Sequence, residues 1–364
     1  MTIDFGWFLP TMGDTEKIGP PTRRATPDYL VEVAKAAEDA GFVFALVPVG
    51  TTCQDAWLAS SVVAARTDKL KFLVAMRPGF IAPTVAAKMS NTLDQLTRGR
   101  VLINVVTGGF PAELAADGDF TEHDDRYVRT QEFMQVVRKA WTLEKGWSHE
   151  GRYDKVEDAN VHPKPYQKPC PPFYFGGASD AAKVVGAEEA DVYLLWGETI
   201  DMVRERIADM RQRAAAIGRT LRFGMRINVV VRETDDEARA AAEALVADIP
   251  QKFQDMMAKH MSGSDSEGEK RQRELQSQQD EWLTPNLWAG IGRARLGVGT
   301  ALVGSGESVA ARFREYIAEG IDTFILSGYP HLEEAQRFGK YVMPHFAGDA
   351  TVPSAPPELV AAGR

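Results

Sequence analysis

The sequence predicts an α/β fold, a (β/α)8 barrel, from three observations. Short apolar runs rich in β-forming residues alternate with longer amphipathic stretches along the whole chain. There are eight such runs, and strands separated by helices pair in parallel through right-handed crossovers. A doubly wound open sheet, the rival topology, would carry a glycine fingerprint after its first strand, but that segment reads Leu9-Pro10-Thr11-Met12-Gly13-Asp14. Closure into a barrel is the simplest arrangement that remains.

The predicted strands set the order of this barrel. They cover residues 4–9, 44–48, 71–75, 100–106, 172–176, 192–196, 222–231 and 323–327. The first helix is predicted to begin at the capping residues Thr26-Pro27-Asp28 and to end at Gly41. Further helices are predicted at 56–65, 83–97 and 126–144, and a last one begins over 331–338.

Two stretches interrupt the alternation, and a tail follows it. Residues 149–171 are rich in proline and polar side chains and predict an ordered insertion. Residues 251–284 are highly charged and longer than an ordinary loop, so they form either a lid that orders over the active site or a solvated excursion. We expect residues 1–347 to form one domain, with 348–364 outside it as a disordered tail or an arm onto a neighbouring subunit.

The composition limits the classes of function. The 364 residues carry a formal charge of −9, with a pI near 5.3, which argues against nucleic-acid binding. No apolar run approaches the about 20 residues that span a bilayer, and the first residues lack a secretory-signal pattern. Cys53 and Cys170 are too few for a disulfide framework and have no metal-binding spacing. We therefore expect a cytoplasmic protein without a metal.

Functional groups of such barrels lie where the strands end and the following loops begin. The candidate residues at those positions are Met12, Cys53, Ala75, Asn104, Thr107, Gly176, Gly177, Ala178, Ser179, Trp196, Arg226, Asn228, Tyr329 and His331. They include no carboxylate pair, no Ser-His-Asp set and no metal cluster, which hydrolytic mechanisms require. A mouth lined by aromatic side chains and arginine indicates that a cofactor supplies the chemistry.

Structural explanations stay open for several of these residues. The turn at 176–179 leaves backbone N–H groups free to hold a phosphate at a helix N-terminus, or it is simply a tight turn with an N-cap. Arg226 lies within a strand, where it either pairs with a carboxylate or binds an anion. Cys53 and Trp196 are each either packed core residues or site residues. The other histidines, His123, His149, His162, His260 and His345, are predicted to lie on the surface.

Longer motifs carry a family resemblance that runs from about Trp7 to His345. They read Trp7-Phe8-Leu9-Pro10-Thr11, Cys53-x-Asp55-Ala56-Trp57-Leu58, Leu70-Lys71-Phe72-Leu73-Val74-Ala75, Val106-Thr107-Gly108, Tyr193-x-x-Trp196-Gly197-Glu198, Pro285-Asn286-Leu287-Trp288-Ala289-Gly290 and Ser327-Gly328-Tyr329-Pro330-His331-Leu332-Glu333-Glu334-Ala335. With these motifs the chain resembles the bacterial luciferase-like flavin monooxygenases. Among them it resembles the two-component, FMNH2-dependent alkanesulfonate monooxygenases.

The resemblance implies a reaction, its partners and its residues. A separate NAD(P)H-dependent reductase would deliver reduced FMN, dioxygen would add to it, and the peroxide would attack the sulfonate sulfur to release sulfite and an aldehyde. Cys53 would stabilise the peroxide, and Arg226 would donate a proton as the product forms. The flavin and sulfonate pocket would be lined by Trp196, Arg226, Arg295, Tyr329 and His331, with Arg295 closing the lid. FMN would be held by Ala75, Asn104, Thr107, Tyr127, Gly176, Gly177, Ala178, Ser179 and Trp196. The family also implies a cis peptide at Ala75–Met76 and a homodimer or tetramer.

The chain departs from the family at two positions, since Met12 and Asn228 stand where the alkanesulfonate enzymes carry histidines. Neither side chain titrates near neutral pH. An amide suits hydroxyl recognition, so a sulfosugar such as sulfoquinovose, or a sulfone, is an alternative substrate to a simple alkanesulfonate. A deazaflavin-dependent dehydrogenase of the same superfamily and a non-catalytic flavin-binding relative are the other hypotheses.

Overall fold

The computed structural model describes residues 2–294 and 297–347. Its strands are β1 (Asp4–Phe8), β2 (Phe44–Val47), β3 (Lys71–Met76), β4 (Val101–Val105), β5 (Trp147–Glu150), β6 (Lys155–Ala159), β7 (Phe173–Gly176), β8 (Val192–Trp196), β9 (Arg222–Arg232), β10 (Trp282–Thr284), β11 (Leu287–Trp288), β12 (Ala301–Ser305) and β13 (Thr323–Ser327). Its helices are α1 (Pro27–Asp39), α2 (Ala56–Ala64), α3 (Pro83–Thr97), α4 (Pro111–Ala116), α5 (His123–Thr142), α6 (Asp180–Glu189), α7 (Ile200–Ala216), α8 (Asp235–Val246), α9 (Gln251–Ser262), α10 (Glu267–Gln276), α11 (Gly306–Glu319) and α12 (His331–Tyr341).

Eight parallel strands close into a barrel. β1 lies between β13 and β2, and parallel pairing continues through β3, β4, β7 and β8. β9 then pairs with β8 on one side and with β13 on the other, which closes the ring. The strands of this ring are the eight that the sequence predicts, so the predicted (β/α)8 fold class is confirmed.

The long strand β9 joins the barrel to a small outer sheet. Its first half completes the ring, whereas residues 228–232 pair in parallel with β12. The antiparallel strands β11 and β10 extend this outer sheet further. The sequence analysis did not predict β10, β11 or β12. Their addition means that β9 is bordered by a barrel strand in one half and by the outer sheet in the other.

Alternate residues of the barrel strands fill its interior, since successive side chains of a strand point to opposite faces. The buried interior cluster consists of Phe8, Phe44, Leu46, Leu73, Leu102, Tyr174, Val192 and Ile325. Space is limited at Gly6, where an added Cβ would lie 2.2 Å from the ring of Phe44. The opposite faces of the same strands pack against the helices in a second, larger cluster.

Both interruptions of the barrel contain regular structure. The first holds the antiparallel hairpin β5–β6, where Glu132 of α5 accepts the backbone N–H groups of Arg152, Tyr153 and Asp154. The second holds α9 and α10, which the sequence analysis left as a lid or a solvated excursion. The tail 348–364 lies outside the described residues.

One expectation drawn from the resemblance is wrong for the backbone. The Ala75–Met76 peptide is trans, and the cis peptides of the described residues are His162–Pro163, Lys168–Pro169 and Tyr329–Pro330. Within the same residues, no helix is both long enough and apolar enough to cross a membrane.

The close packing at Gly6 generates a stability prediction. Gly6→Ala places a methyl group within the ring of Phe44, so we expect the free energy of unfolding to fall by about 1–3 kcal/mol, the usual cost of overpacking a core. Urea unfolding followed by circular dichroism measures the change. Gly19→Ala is the control, because the nearest atom to its added Cβ is 4.0 Å away. Equal stability of the two variants would contradict the packing described for the interior.

Candidate active site at the carboxyl ends of the strands

The strand register places several predicted site residues on the inner face of the barrel. Ala75 pairs with Asn104, and Trp196 pairs with Arg226. Each lies an even number of residues beyond an interior position of its own strand, and alternate residues share a face. Gly176 ends β7 in the same way and is exposed, while Asn104 and Trp196 are half-buried. These five positions therefore line an accessible mouth of the barrel.

Arg226 is held on the inner wall of this mouth and is 8% exposed. Its Nη1 donates to Ser327 Oγ at 3.0 Å and to the carbonyl oxygen of Ile325 at 3.4 Å. The guanidinium carbon lies 4.8 Å from the centroid of the Phe8 ring, within cation–π distance. These contacts orient a positive charge at the level of the strand ends, where it is suited to meet an anion.

Asn228 lies one interior position beyond Arg226 and is fully buried. Its Nδ2 donates to the carbonyl oxygens of Val298 (3.1 Å) and Thr300 (2.9 Å), and its Oδ1 accepts from the hydroxyl of Ser327 at 2.7 Å. Both N–H groups are therefore used by the backbone. The predicted hydroxyl recognition by this amide is corrected to a structural role, because it has no N–H left for a substrate.

Tyr329 and His331 follow β13 at the same end of the barrel. The imidazole of His331 is 2% exposed, and its centroid lies 5.0 Å from that of Tyr329 and 5.5 Å from that of Phe8. His331 and Arg226 therefore both contact the Phe8 ring. The neighbouring Glu334 is fully buried, accepts the backbone N–H of Val231 and pairs with Arg232, so the motif after β13 is fastened to β9.

A residue that the sequence analysis did not select, Asp14, is buried beside His331. Its Oδ1 accepts from His331 Nδ1 at 2.8 Å, and its Oδ2 accepts from the backbone N–H of His331 at 2.7 Å and from the hydroxyl of Tyr29. Burial acts to raise the pKa of this carboxyl, but the charge and hydrogen bonds of His331, with those of Tyr29 and Thr15, lower it overall. The segment Thr11-Met12-Gly13-Asp14 carried no motif that pointed to this role.

Cys53 lies in the loop between β2 and α2, and it is half-buried. The backbone N–H of Gln54 donates to the carbonyl oxygen of Thr11, so this loop lies against the loop that carries Met12, which is 41% exposed. Burial raises the pKa of the Cys53 thiol, and Glu113 also raises it, while Thr11 and Arg77 act in the opposite direction. The sulfur is therefore a protonated thiol at neutral pH, which is a weak hydrogen-bond donor.

The turn after β7 is a tight strand-to-helix connection with an N-cap. Ser179 Oγ accepts from the backbone N–H of Ala182 at 3.2 Å at the start of α6. A Cβ on Gly177 would lie 2.4 Å from Cβ of Ala182 and 3.6 Å from the hydroxyl of Tyr127. The hydroxyl of Tyr193 donates to the carbonyl oxygen of Gly177. The alternative of a capped turn is thus confirmed, and the same turn has the backbone shape of an anion site at a helix N-terminus.

Helix α5 brings two further predicted residues to this turn. Tyr127 interacts with Ser179 through its side chain, and burial raises the pKa of its phenol. One turn later, Thr130 Oγ1 lies 3.1 Å from Thr107 Oγ1 at the end of β4. Thr107, Tyr127 and Ser179 therefore belong to one polar cluster that joins the ends of β4 and β7.

Helix α10 lies across the ends of β4 and β8. Asp265, just before it, pairs with Arg126, and its backbone N–H donates to the carbonyl oxygen of Gly109 at 3.1 Å. A Cβ on Gly268 would lie 3.3 Å from the ring of Trp196. Gln272 Nε2 donates to the carbonyl oxygen of Gly197 at 3.1 Å. This half of residues 251–284 is packed against the barrel, so it is not a solvated excursion.

The buried Glu198 fixes the other side of α10. Its two carboxylate oxygens accept from Arg271 Nε and Nη2, each at 2.8 Å, and Arg206 lies 3.8 Å away. Glu269 and Gln272 accept the backbone N–H groups of Gly297 and Gly299 at 2.7 and 2.8 Å. The polar side chains of α10 are thus used to attach it to the barrel mouth and to the segment before β12.

Other predicted residues have different outcomes. Arg295 lies outside the described residues, so its proposed convergence with Arg226 stays a prediction. His162, His260 and His345 are exposed as predicted. His149 is not a surface residue, because its side chain is 14% exposed and bonds to Glu132. His123 is partly exposed: it contacts the exposed Asp124 through Nδ1 and packs edge-on against Tyr127, with Nε2 buried.

Comparison with known proteins places this barrel in a family. The family model described as luciferase-like monooxygenase matches residues 3–323. The chain therefore belongs to the luciferase-like monooxygenase family, and its class is that of an oxidoreductase.

Solved structures share the fold at low identity. Long-chain alkane monooxygenase (LadA) is 21% identical with a TM-score of 0.79, over 95% of this chain and 91% of that chain. DmoA from Hyphomicrobium sulfonivorans is 20% identical with a TM-score of 0.80, over 97% and 90%. The coenzyme F420-dependent tetrahydromethanopterin reductase from Methanopyrus kandleri is 19% identical with a TM-score of 0.69, over 95% and 100%. A protein that depends on coenzyme F420 is among those that share this fold, so the cofactor and substrate must be argued from the site.

The environment of Cys53 generates a prediction about its titration. In a Cys170→Ser background, the alkylation rate of Cys53 by iodoacetamide should reach half its maximum at a higher pH than for a small-molecule thiol, because burial raises the pKa. The midpoint of the pH–rate profile reports the pKa of the Cys53 thiol. Restricted access of iodoacetamide to the sulfur lowers the rate at every pH but does not move the midpoint. A midpoint at or below that of the free thiol would contradict the assignment of a protonated thiol.

The pairing of Arg271 with Glu198 generates a prediction about α10. Arg271→Ala leaves a buried carboxylate with a distant partner, so we expect limited proteolysis within 251–284 to accelerate about tenfold, which corresponds to about 1.4 kcal/mol of local stability. Lys270→Ala is the matched control, since Lys270 is exposed and lies 3.7 Å from Glu267. Similar cleavage rates for the two variants would show that Glu198 does not hold the helix.

Proposed function

We propose that this protein is a two-component flavin-dependent monooxygenase that uses FMNH2 and O2 to cleave the C–S bond of an organosulfonate. The observation that carries the proposal is the placement of Arg226, on the inner wall of the mouth, beside Trp196 and the Phe8 ring. A guanidinium binds a sulfonate through charge-assisted hydrogen bonds to two of its oxygens. The net reaction converts R–CH2–SO3⁻, O2 and FMNH2 into an aldehyde, sulfite, water, FMN and one proton.

The turn after β7 fits the phosphate of FMN. Gly176 and Gly177 leave room that a Cβ would fill, since it would lie 2.8 Å from the carbonyl oxygen of Leu194 at the first and 2.4 Å from Ala182 at the second. Tyr127 and Ser179 supply hydroxyl groups at the N-terminus of α6, which favours an anion, and Thr107 supplies one at the end of β4. Ala75 and Asn104 would then lie beside the flavin ring. Reduced FMN, when bound there, supplies the electrons that activate dioxygen.

The side chains of the mouth perform the remaining tasks. Arg226 holds the sulfonate and is placed to return a proton as sulfite leaves. Trp196 forms one wall beneath α10, which excludes water from the reacting groups as a lid. Cys53 contributes a thiol proton as a hydrogen-bond donor. Arg295, expected to close onto the anion, and Tyr329 and His331, expected to line the pocket, complete the site.

The substrate class follows from the same residues. Asn228 is committed to the backbone, so it offers no argument for a polyhydroxylated substrate. The exposed thioether of Met12, beside the Cys53 loop, favours an apolar group next to the sulfonate. Simple alkanesulfonates are therefore proposed first, and a sulfosugar such as sulfoquinovose, or a sulfone, second. A sulfone lacks the negative charge that Arg226 would recognise.

An F420-dependent oxidoreductase is the second candidate function, because the reductase from Methanopyrus kandleri shares the fold. Such an enzyme would transfer hydride without oxygen. Anaerobic titration with FMN and with F420, followed by absorbance, distinguishes the two functions, and tighter binding of F420 would favour the second.

The partners proposed are dioxygen, a separate NAD(P)H-dependent FMN reductase and a further copy of this chain. Leu58 and Val62 lie one turn apart on α2 and are 71% and 46% exposed, which supports a homo-oligomer that covers them. We expect the protein to act in the cytoplasm.

The test of the proposed function is sulfite release in the presence of an active reductase, FMN and oxygen. We expect wild-type protein to release sulfite from alkanesulfonates of two to ten carbons or from sulfoquinovose, and to need all three components. Arg226→Ala should lower kcat/KM at least about 100-fold, because a buried charge that binds the anion contributes about 3 kcal/mol or more. Arg66→Ala is the control, since Arg66 is half-exposed and pairs with Asp28 outside the barrel.

Two outcomes would count against this function. No sulfite from any sulfonate with the reductase active would remove the organosulfonate reaction. An Arg226→Ala variant that keeps its kcat/KM would remove the sulfonate from the inner wall.

A further inference from the structure

The inference concerns the buried pair Asp14–His331, which no part of the proposed function uses as a pair. Asp14 follows β1, and His331 begins α12, 317 positions later in the chain. Their side chains are 0% and 3% exposed, so water does not compete for the contact. Asp14 Oδ1 and His331 Nδ1 are 2.8 Å apart.

The carboxylate of Asp14 is fully engaged as an acceptor. Oδ1 accepts from the backbone N–H of Thr15 and from His331 Nδ1, and Oδ2 accepts from the backbone N–H of His331 and from the hydroxyl of Tyr29. Four donors occupy the four lone-pair positions of a carboxylate. They outweigh the burial of the group and keep its pKa low. An ionised carboxylate can only accept, so the proton of this contact belongs to His331 Nδ1.

The other ring nitrogen of His331 is in a different situation. Nε2 is buried and has no hydrogen-bond partner among the described residues. With Nδ1 protonated in this contact, Nε2 is the nitrogen that carries the lone pair in the neutral form of the ring. Buried polar atoms are normally satisfied, so an unpartnered Nε2 indicates that a ligand atom or a proton completes it.

We propose that Asp14 is a positioning residue that fixes His331 in the Nδ1–H form, so that Nε2 accepts the proton that leaves the substrate carbon. This step rests on the proposed function. Conversion of a CH2–SO3⁻ carbon to an aldehyde breaks one C–H bond and the C–S bond and forms C=O. The released proton passes to Nε2, and the oxygen atom and the electrons come from dioxygen and reduced FMN. The arrangement uses the same physical logic as an aspartate that holds the histidine tautomer in a serine hydrolase.

Phe8 connects this pair to the anion site. Its ring lies 5.5 Å from the imidazole of His331 and 4.8 Å from the guanidinium carbon of Arg226. Both basic groups therefore contact the same ring. In the proposed step, the α-carbon of a sulfonate held by Arg226 lies within reach of His331 Nε2.

The direct test measures the tautomer by NMR on the full chain with 15N-labelled histidine. His331→Gln assigns its signals among the six histidines. We expect wild-type His331 to show a protonated Nδ1 and a pyridine-like Nε2. A protonated Nε2 would overturn the proposal, and this result does not depend on whether any sulfonate is a substrate.

The second test uses Asp14→Asn. The Asn oxygen can keep the bonds from Tyr29 and from the His331 backbone, which turns its NH2 group towards His331 Nδ1 and moves the ring proton to Nε2. The backbone N–H of Thr15 then loses its acceptor. We expect the NMR tautomer to switch and kcat for sulfite release to fall about 100-fold or more, with KM within about threefold, because Nε2 loses its acceptor role. An unchanged tautomer or an unchanged kcat would overturn the proposal.

Tyr29→Phe separates positioning from general support of the structure. It removes one donor from the same carboxylate, and it leaves the contact with Nδ1 in place. We expect the Nδ1–H form to persist and kcat to stay within about threefold. A loss of kcat as large as that of Asp14→Asn, with the tautomer unchanged, would show that packing around Asp14 matters and its tautomer control does not. If wild type releases no sulfite while its NMR shows the Nδ1–H form, the proposed function fails and the positioning role of Asp14 stands.

Discussion

The pairing of β8 with β9 closes the barrel and places Trp196 beside Arg226. The positions of the groups at the mouth depend on this pairing. β9 meets β8 over its first half and β13 on its other side, so its inner face is fixed by two neighbours at once. Along that face, Arg222 pairs with Asp322 and Asp4 near the start of the strand, and Arg226 lies at the end of the ring. A register slip of one residue would turn Arg226 towards the helices, because the side-chain period of a strand is two.

The features that the sequence predicted are those that repeat locally. Short apolar runs predicted the eight ring strands. The capping residue Thr26 predicted the start of α1, and the helix predicted at 83–97 begins at Pro83, as the structure confirms. The strand β12 was not predicted, because its five residues follow a glycine-rich segment. It pairs with the second half of β9, and the eight predicted strands already formed a complete barrel without it. Helix α10 was left open because its charged sequence is typical of a solvated surface. Its charged side chains instead bond to Glu198 and to a backbone N–H group.

Contacts between distant segments could not be predicted from spacing. Asp14 lies in a loop without a motif, and its partner His331 belongs to the other end of the chain. The role of Asn228 was misjudged for the same reason, since the carbonyl oxygens that occupy its amide belong to Val298 and Thr300. A residue type suggests which bonds a side chain can make, but only the fold decides whether protein atoms already make them. The turn after β7 shows the converse, because the same Ser179 caps α6 and still interacts with Tyr127.

The identity of residue 228 has a consequence for how the mouth is held together. Gln272 of α10 bonds to Gly299, Asn228 bonds to the carbonyl groups on either side of Gly299, and Ser327 connects Asn228 with Arg226. This is a contiguous hydrogen-bonded chain from the helix that covers the mouth to the arginine inside it. One nitrogen of Asn228 donates to two carbonyl oxygens, whereas each nitrogen of an imidazole carries at most one hydrogen. An amide therefore suits this position for a structural reason, because its two N–H groups and its oxygen connect the segment before β12 with Ser327, which contacts Arg226.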